Sequence, residues 1–285
     1  EEAIAVGGGL HISLVDAYVN IAMIQRMEAK GDKKKWDEAL KNLQRALVID
    51  SKSLEAFLQM AELYREMAKG DKDDSKLDLA TLVLTQAQLI EAEKGTPYAP
   101  LNLTLGLMKI DQGDIIGGLK NFKAAFEKDA KLYEAYVNYG AITIGFRGYE
   151  DAEVVFETAL QLEPNDYDAH LNLGVAKRGL EKFPEAEAEY LKAIEIDPAK
   201  PDAYFNIGLL YQDYWGFEKA GESGYDHYQV AMKWYKDFKV KAGAKDAYKD
   251  KVAEADARIK NCENSIAMLK EAAALMAEAA AITSE

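Results

Sequence analysis

Small and large apolar residues recur at a fixed interval through the middle of the chain. Gly106, Gly140, Gly174 and Gly208 fall 34 residues apart, each preceded by Leu105, Tyr139, Leu173 or Ile207. Three further ladders keep the same step: Gly118, Ala152 and Ala186; Phe122, Phe156 and Tyr190; Ala125, Ala159 and Ala193. Pro164 and Pro198 close two of the periods, with Ala130 at the matching earlier place. Within a period the apolar positions return at helical spacing, so each period reads as two antiparallel helices. Glycine and alanine let the two backbones approach, as with Gly174 facing Ala186, and Phe156 and Tyr190 fill the gap between repeats. Proline cannot continue a helix and so ends it. One helix pair cannot bury its apolar face alone, so successive pairs must stack. The expected fold class is all-α.

These residues resemble the tetratricopeptide-repeat (TPR) family. Its pattern is a large residue at position 4, Leu at 7, Gly or Ala at 8, an aromatic at 11, Ala at 20, an aromatic at 24, Ala at 27 and Pro at 32. Segments 133–166 and 167–200 match nearly throughout, and 99–132 matches well. The departure is position 11, where Lys109, Thr143 and Lys177 replace the aromatic and only Tyr64 and Tyr211 keep it. The resemblance implies a right-handed TPR superhelical solenoid whose first helices line a concave face.

The ends are irregular. Phe57, Met60, Ala61 and Tyr64, then Ala80, Leu84, Ala87 and Ala92, fit a second repeat with about seven extra residues in a polar loop, Lys69–Ser75. Ala39, Leu43, Ala46 and Ser51 fit the second helix of a first repeat. Leu10–Met27 would supply its first helix and Lys30–Lys35 an extended loop. A sixth repeat opens with Tyr204, Ile207, Gly208 and Tyr211 and resumes at Ala231, Tyr235 and Phe238, which implies about eleven inserted residues near Trp215–Tyr225. The organisation expected is a flexible 1–9, six repeats at about 10–53, 54–98, 99–132, 133–166, 167–200 and 201–243, and a terminal 244–285. In that last segment Val252, Ala255, Ile259, Cys262, Ile266, Leu269 and Ala273 form an apolar helical stripe. It reads as a C-terminal capping helix with a fraying alanine-rich end, Ala272–Ala281.

Composition removes several function classes. Of 285 residues 49% are hydrophobic, enough for a sizeable core, and 35 Lys+Arg against 49 Asp+Glu give a net charge of −14. That sign repels nucleic acid and anionic lipid and favours apolar or basic partners. With Cys262 as the sole cysteine, no internal disulfide can form. No apolar run reaches the roughly 18 residues of a membrane span. His11, His170 and His227 share no metal-ligand spacing, and Gly7-Gly8-Gly9 lacks the rest of a phosphate loop. Neither a cofactor nor a metal is expected, and nothing suggests an enzyme. The chain opens on Glu1-Glu2 without an initiator Met, which suggests a piece of a longer chain or a mature form after cleavage.

The family resemblance places partner contacts at positions 2, 5, 6, 9, 12 and 13. Position 5 is Leu103, Val137, Leu171 and Phe205; position 9 includes Leu107, Val175 and Leu209; position 6 is Asn138, Asn172 and Asn206. The expected site is an apolar strip flanked by an Asn ladder that grips a peptide or helix. A clamp for acidic chaperone tails is not expected: positions 5 and 9 are apolar, and position 2 is Glu134, Asp168 and Asp202. Tyr214, Trp215 and Phe217 form an aromatic cluster that serves either as an anchor or as buried packing. The function expected is a non-catalytic scaffold or adaptor. The alternatives are the regulatory domain of a larger enzyme and a homo-oligomeric structural protein, and oligomeric state stays open. Tyr211–Trp215 with the lengthened sixth repeat also resembles TPR proteins of bacterial gliding-motility envelope complexes. That would imply a periplasmic or outer-membrane-associated protein whose membrane link is a removed anchor, the alternative being cytoplasmic.

Overall fold

A computed structural model describes residues 9–71, 75–215 and 225–283. Every regular element among them is helical: α1 Gly9–Ala29, α2 Lys33–Ile49, α3 Leu54–Asp71, α4 Ser75–Lys94, α5 Ala99–Asp111, α6 Ile115–Lys128, α7 Tyr133–Gly145, α8 Tyr149–Leu162, α9 Tyr167–Gly179, α10 Phe183–Ile196, α11 Asp202–Leu209, α12 Asp226–Ala242 and α13 Lys249–Thr283. A π-helical turn, Leu210–Tyr214, prolongs α11, and a 3₁₀ turn, Asp246–Tyr248, precedes α13. The chain forms two compact units, residues 1–135 and 136–285.

In the first unit α1 packs on α2, α3 on α4 and α5 on α6. Ala56, Met60 and Leu63 of α3 are buried, as are Leu101 and Met108 of α5, which are positions 3, 7 and 10 of a first helix. Asp114 caps α6 by accepting from the Gly117 amide at 2.9 Å. A Cβ added at Gly106 would stand 2.5 Å from the Phe122 ring. Glycine is therefore what allows an aromatic ring to press against the opposing backbone.

The second unit repeats this device three times. A Cβ at Gly140, Gly174 or Gly208 would come within 2.6, 2.5 and 2.5 Å of Phe156, Tyr190 and Tyr235. Each ring thus sits over the glycine of its own helix pair. Tyr190 also shares a cluster with Ala203, Ile207 and Leu210 of the next pair, so one side chain bridges both interfaces. Asp166 caps α9 through the Ala169 amide at 2.6 Å. Pro164 and Pro198 each lie two residues past the end of a helix, α8 and α10.

The irregular ends differ from expectation. Lys30–Lys35 is not an extended loop, because only residues 30–32 separate α1 from α2. The extra length is helix instead. Much of the Lys69–Ser75 segment is helical too: α3 runs to Asp71 and α4 starts at Ser75. Gly70 lies against Trp36, whose ring takes the place a Cβ would need. The alanine-rich end of α13 is helical through Thr283, in keeping with the high helix propensity of alanine. The flexible stretch 1–9 falls outside the described residues apart from Gly9, which opens α1.

α13 is half a repeat. Ala255, Ile259 and Cys262 are buried against α12 just as Ala203 and Ile207 of α11 and Leu210 of the π-turn are buried against the preceding pair. The positions that would receive a further second helix carry Asp256, Lys260 and Glu263, all exposed. The docking face is kept and the stacking face is charged, so α13 closes the second unit with a solvated surface.

Candidate protein-interaction site

The expected groove positions have different fates in the two units. In the first, Leu103 and Leu107 are half-buried, and the same face is dominated by ions. Arg26 pairs with Glu62 at 2.8 Å and with Glu66, and Thr104 donates to Glu62 at 3.3 Å. Arg65 pairs with Asp111, which Lys69 also reaches at 2.9 Å. Burial pushes the Glu62 carboxyl above its usual range, against the pull of Arg26. For Asp111 burial acts upward too, but Arg65 and Lys69 outweigh it and hold the carboxyl low. This face is internally paired and offers little to a ligand.

In the second unit Val137, Leu171, Val175 and Leu209 are half-buried, as are Asn138, Asn172 and Asn206. Asn206 is committed to its own chain: Arg178 donates to its Oδ1 at 3.1 Å, and its Nδ2 donates to the Asp202 carbonyl at 3.0 Å. Two expected contact residues are core residues instead. Phe205 is 3% exposed, 5.1 Å from the Phe238 ring, with the Lys251 ammonium of α13 5.1 Å above its face. The expected groove position is covered by α13, and Lys251 and Tyr248 both bond Asp202 beside it. Trp215 is 6% exposed, 5.9 Å from Tyr211, in the cluster of Tyr190 and Ile207. The π-turn causes this: the Trp215 amide donates to the Leu210 carbonyl at 2.8 Å, five residues back. That register turns Trp215 inward and leaves Tyr214 48% exposed. Phe217 lies outside the described residues.

Val175 and Tyr214 come together in a cleft of about 550 Å3. Tyr149, Phe183 and Tyr214 supply aromatic walls, Arg147 and Arg178 the cations, and Glu181 and Asp213 the acids. Phe183 and Tyr214 stand 6.4 Å apart, and the Arg178 guanidinium lies 5.2 Å over the Tyr214 ring. Asp213 is neutralised by Arg258 at 2.8 Å. Among the described residues no ion pair holds Arg147, which is exposed. Tyr190 lies close to Arg178 and Tyr214; burial holds its hydroxyl well above the usual phenol range, and that hydroxyl finds no hydrogen-bond partner among the described residues.

Arg147, Tyr149, Arg178 and Phe183 were not singled out from sequence. A faint signal was present: Gly113, Arg147 and Glu181 occupy the same place in successive pairs, and all are left-handed, with φ of 79°, 61° and 61°. Glycine adopts this freely, whereas arginine and glutamate do so at a cost of about 1 kcal/mol or more. The turn therefore holds Arg147 and Glu181 at the cleft rim.

Other chemistry is accounted for locally. The ring nitrogens of His170 face the Glu189 carboxylate at 2.7 Å and the Pro164 carbonyl at 3.1 Å. Cys262 is a free, buried thiol that burial pushes up to about 11. Among the described residues no group of three or more His, Cys, Asp and Glu could hold a metal ion, and no helix is long and apolar enough to cross a membrane.

Paired helices, glycine–aromatic packing and a closing half-pair define a helical repeat scaffold. Residues 176–213, from α9 through α10 to Asp213, match the family described as TPR repeat. PilF of Pseudomonas aeruginosa is similar in structure, with a TM-score of 0.63 and 15% identity over 86% of this chain and 99% of that one. The C-terminal part of a TPR repeat-containing protein from Cytophaga hutchinsonii gives 0.58 and 16% over 84% and 92%. At these identities the likeness is one of fold, and the fold is that of TPR proteins. No curated protein matches the sequence.

Proposed function

We propose that the chain is a non-catalytic protein-interaction scaffold that anchors a partner peptide or helix in the aromatic–arginine cleft of its second unit. The observation that carries this reading is the convergence of Tyr149, Phe183 and Tyr214 with the unpaired Arg147 around about 550 Å3 of open volume. Aromatic walls bury an apolar or aromatic anchor side chain, and Arg147 meets a carboxylate beside it. Among the described residues the cleft charges outside ion pairs are Arg147, Arg178 and Glu181, a set that is net positive, so the reading departs from a basic partner. It also differs from the chaperone clamp, because the cations stand at positions 12 and 15 of the repeat and not at 2, 5 or 6.

Phage-displayed random peptides selected on the intact protein test it. Recovered peptides should share an aromatic or aliphatic residue flanked by Asp or Glu. Arg147→Glu combined with Tyr214→Ala should weaken them by about tenfold or more with the fold intact by circular dichroism. Peptides of no common pattern, or unchanged affinity in the double variant, would remove the cleft from consideration. Service in a bacterial envelope motility or assembly complex, at the periplasmic side, is a narrower form of the same proposal, supported by the resemblance at Tyr211–Trp215. Localisation of a tagged full-length protein to cytoplasmic fractions would count against it.

A further inference from the structure

A second surface lies on α12 and α13 and shares no lining residue with the cleft. Gln229, Met232, Lys233, Lys236 and Asp237 of α12 face Ile266 and Lys270 of α13 around a groove of about 570 Å3. Met232 and Ile266, both half-buried, form the apolar floor. The rim carries three lysines and one aspartate in a chain whose net charge is −14. Among the described residues, Lys233 and Lys236 make no ion pair; both are exposed. Lys270 stands 5.3 Å over the Tyr225 ring.

The apolar floor does not stop at the groove. The stripe that α13 buries through Ala255, Ile259 and Cys262 passes Ile266 and continues, uncovered, through Leu269 at 42% and Met276 at 73% exposure. A bare helical stripe beyond a rim of cations is the surface an amphipathic helix covers.

The structure assigns this groove to an acidic amphipathic helix of a partner protein. Charge complementarity carries the choice of occupant: Lys233, Lys236 and Lys270 meet Asp or Glu flanking an apolar seam that lies on Met232, Ile266 and Leu269. A bilayer fits less well, because the surface is concave.

The test uses the full chain and a synthetic helical peptide of about five turns, with a leucine seam flanked by glutamates, and a twin with lysines in their place. Fluorescence anisotropy should show the acidic peptide binding in roughly the micromolar range and weakening as salt rises. K233E/K236E/K270E should cost about tenfold or more in affinity. These lysines are solvent-facing, so the variant should keep the parent circular dichroism. Leu269→Glu with Met276→Glu should also weaken binding, by about fivefold or more. The variants of the cleft, Arg147→Glu and Tyr214→Ala, should leave this binding unchanged. No saturable binding at about 1 mM, preference for the lysine peptide, or unchanged affinity in the triple variant overturns the inference. So does sedimentation with phosphatidylglycerol vesicles that the triple variant abolishes, which would assign the surface to lipid. A doubled mass in light scattering that the triple variant halves would assign it to a second copy, with the same consequence.

Discussion

A methyl group added at Gly174 tests the packing that joins the helices of each pair. Its Cβ would stand 2.5 and 2.6 Å from two ring carbons of Tyr190. An unstrained carbon contact needs about 3.5 Å or more, so ring or helix must yield by roughly 1 Å. Tyr190 has nowhere to go: it is fully buried between Gly174 and the next pair. Overpacking of this kind costs about 1–3 kcal/mol. The better helix propensity of alanine returns up to about 1 kcal/mol. Gly174→Ala is therefore expected to destabilise by about 1–2 kcal/mol. Gly145, at the end of α7, supplies the control, since nothing lies within 4 Å of its added Cβ. There only propensity acts, and Gly145→Ala should be neutral or stabilising. Urea denaturation monitored by circular dichroism reads both. Pairing Gly174→Ala with Tyr190→Leu should be less costly than the sum of the two, since the smaller side chain makes room for the methyl. Equal stability of the Gly174 and Gly145 variants would refute the packing argument.

Trp215→Ala should cost about 3 kcal/mol or more of stability, measured by thermal or urea unfolding, because it empties a buried site in the Tyr190 cluster. Tyr190→Phe removes a buried, unpartnered hydroxyl and should be neutral or stabilising by about 1 kcal/mol, as the native Phe122 and Phe156 at the same position suggest. Glu181→Gly relieves a left-handed turn that Gly113 makes freely and should stabilise by up to about 1 kcal/mol in the same assay. Burial pushes the Cys262 thiol up to about 11 when folded, so the unfolded chain loses its proton first. Its contribution is fully present below an unfolded value of about 8.5 and is lost as pH rises toward the folded value. Cys262→Ala, which places at this position the residue that α9 has at Ala176, should show a shallower loss of stability across that window.

The repeat was legible because its physics is periodic. The glycine of α9 and the aromatic of α10 must both be present for either to pack, and that coupling writes the 34-residue ladder. The capping role of α13 was legible for the same reason, since Ala255, Ile259 and Cys262 keep the spacing of an apolar stripe. What escaped was local and non-repeating. Lys30–Lys35 and Lys69–Ser75 are polar, and polarity looks alike in a loop and in a solvated helix end; in the second segment the contact of Trp36 with Gly70 is what marks helix. The π-turn at Leu210–Tyr214 has no sequence mark either. It exchanges the fates of Tyr214 and Trp215, two adjacent aromatics that composition treats as one cluster.

The contact face is harder to read for a further reason. Its side chains are under no obligation to match from one pair to the next. Position 9 is Glu62 in α3, Leu107 in α5 and Val175 in α9, and position 12 is Arg65, Ile110 and Arg178. The same arginine has opposite consequences in the two units. Arg65 finds Asp111 and is consumed in an ion pair. Arg178 finds Asn206 and the Tyr214 face, neither of which cancels its charge. Among the described residues Arg147 and Arg178 therefore outweigh Glu181 and leave the cleft net positive, while Arg26, Arg65 and Lys69 of the first unit are spent on Glu62, Glu66 and Asp111. Which outcome holds depends on a residue tens of positions away in the chain, so the chemistry of the groove follows from the stacking of the pairs and cannot be read from any one of them.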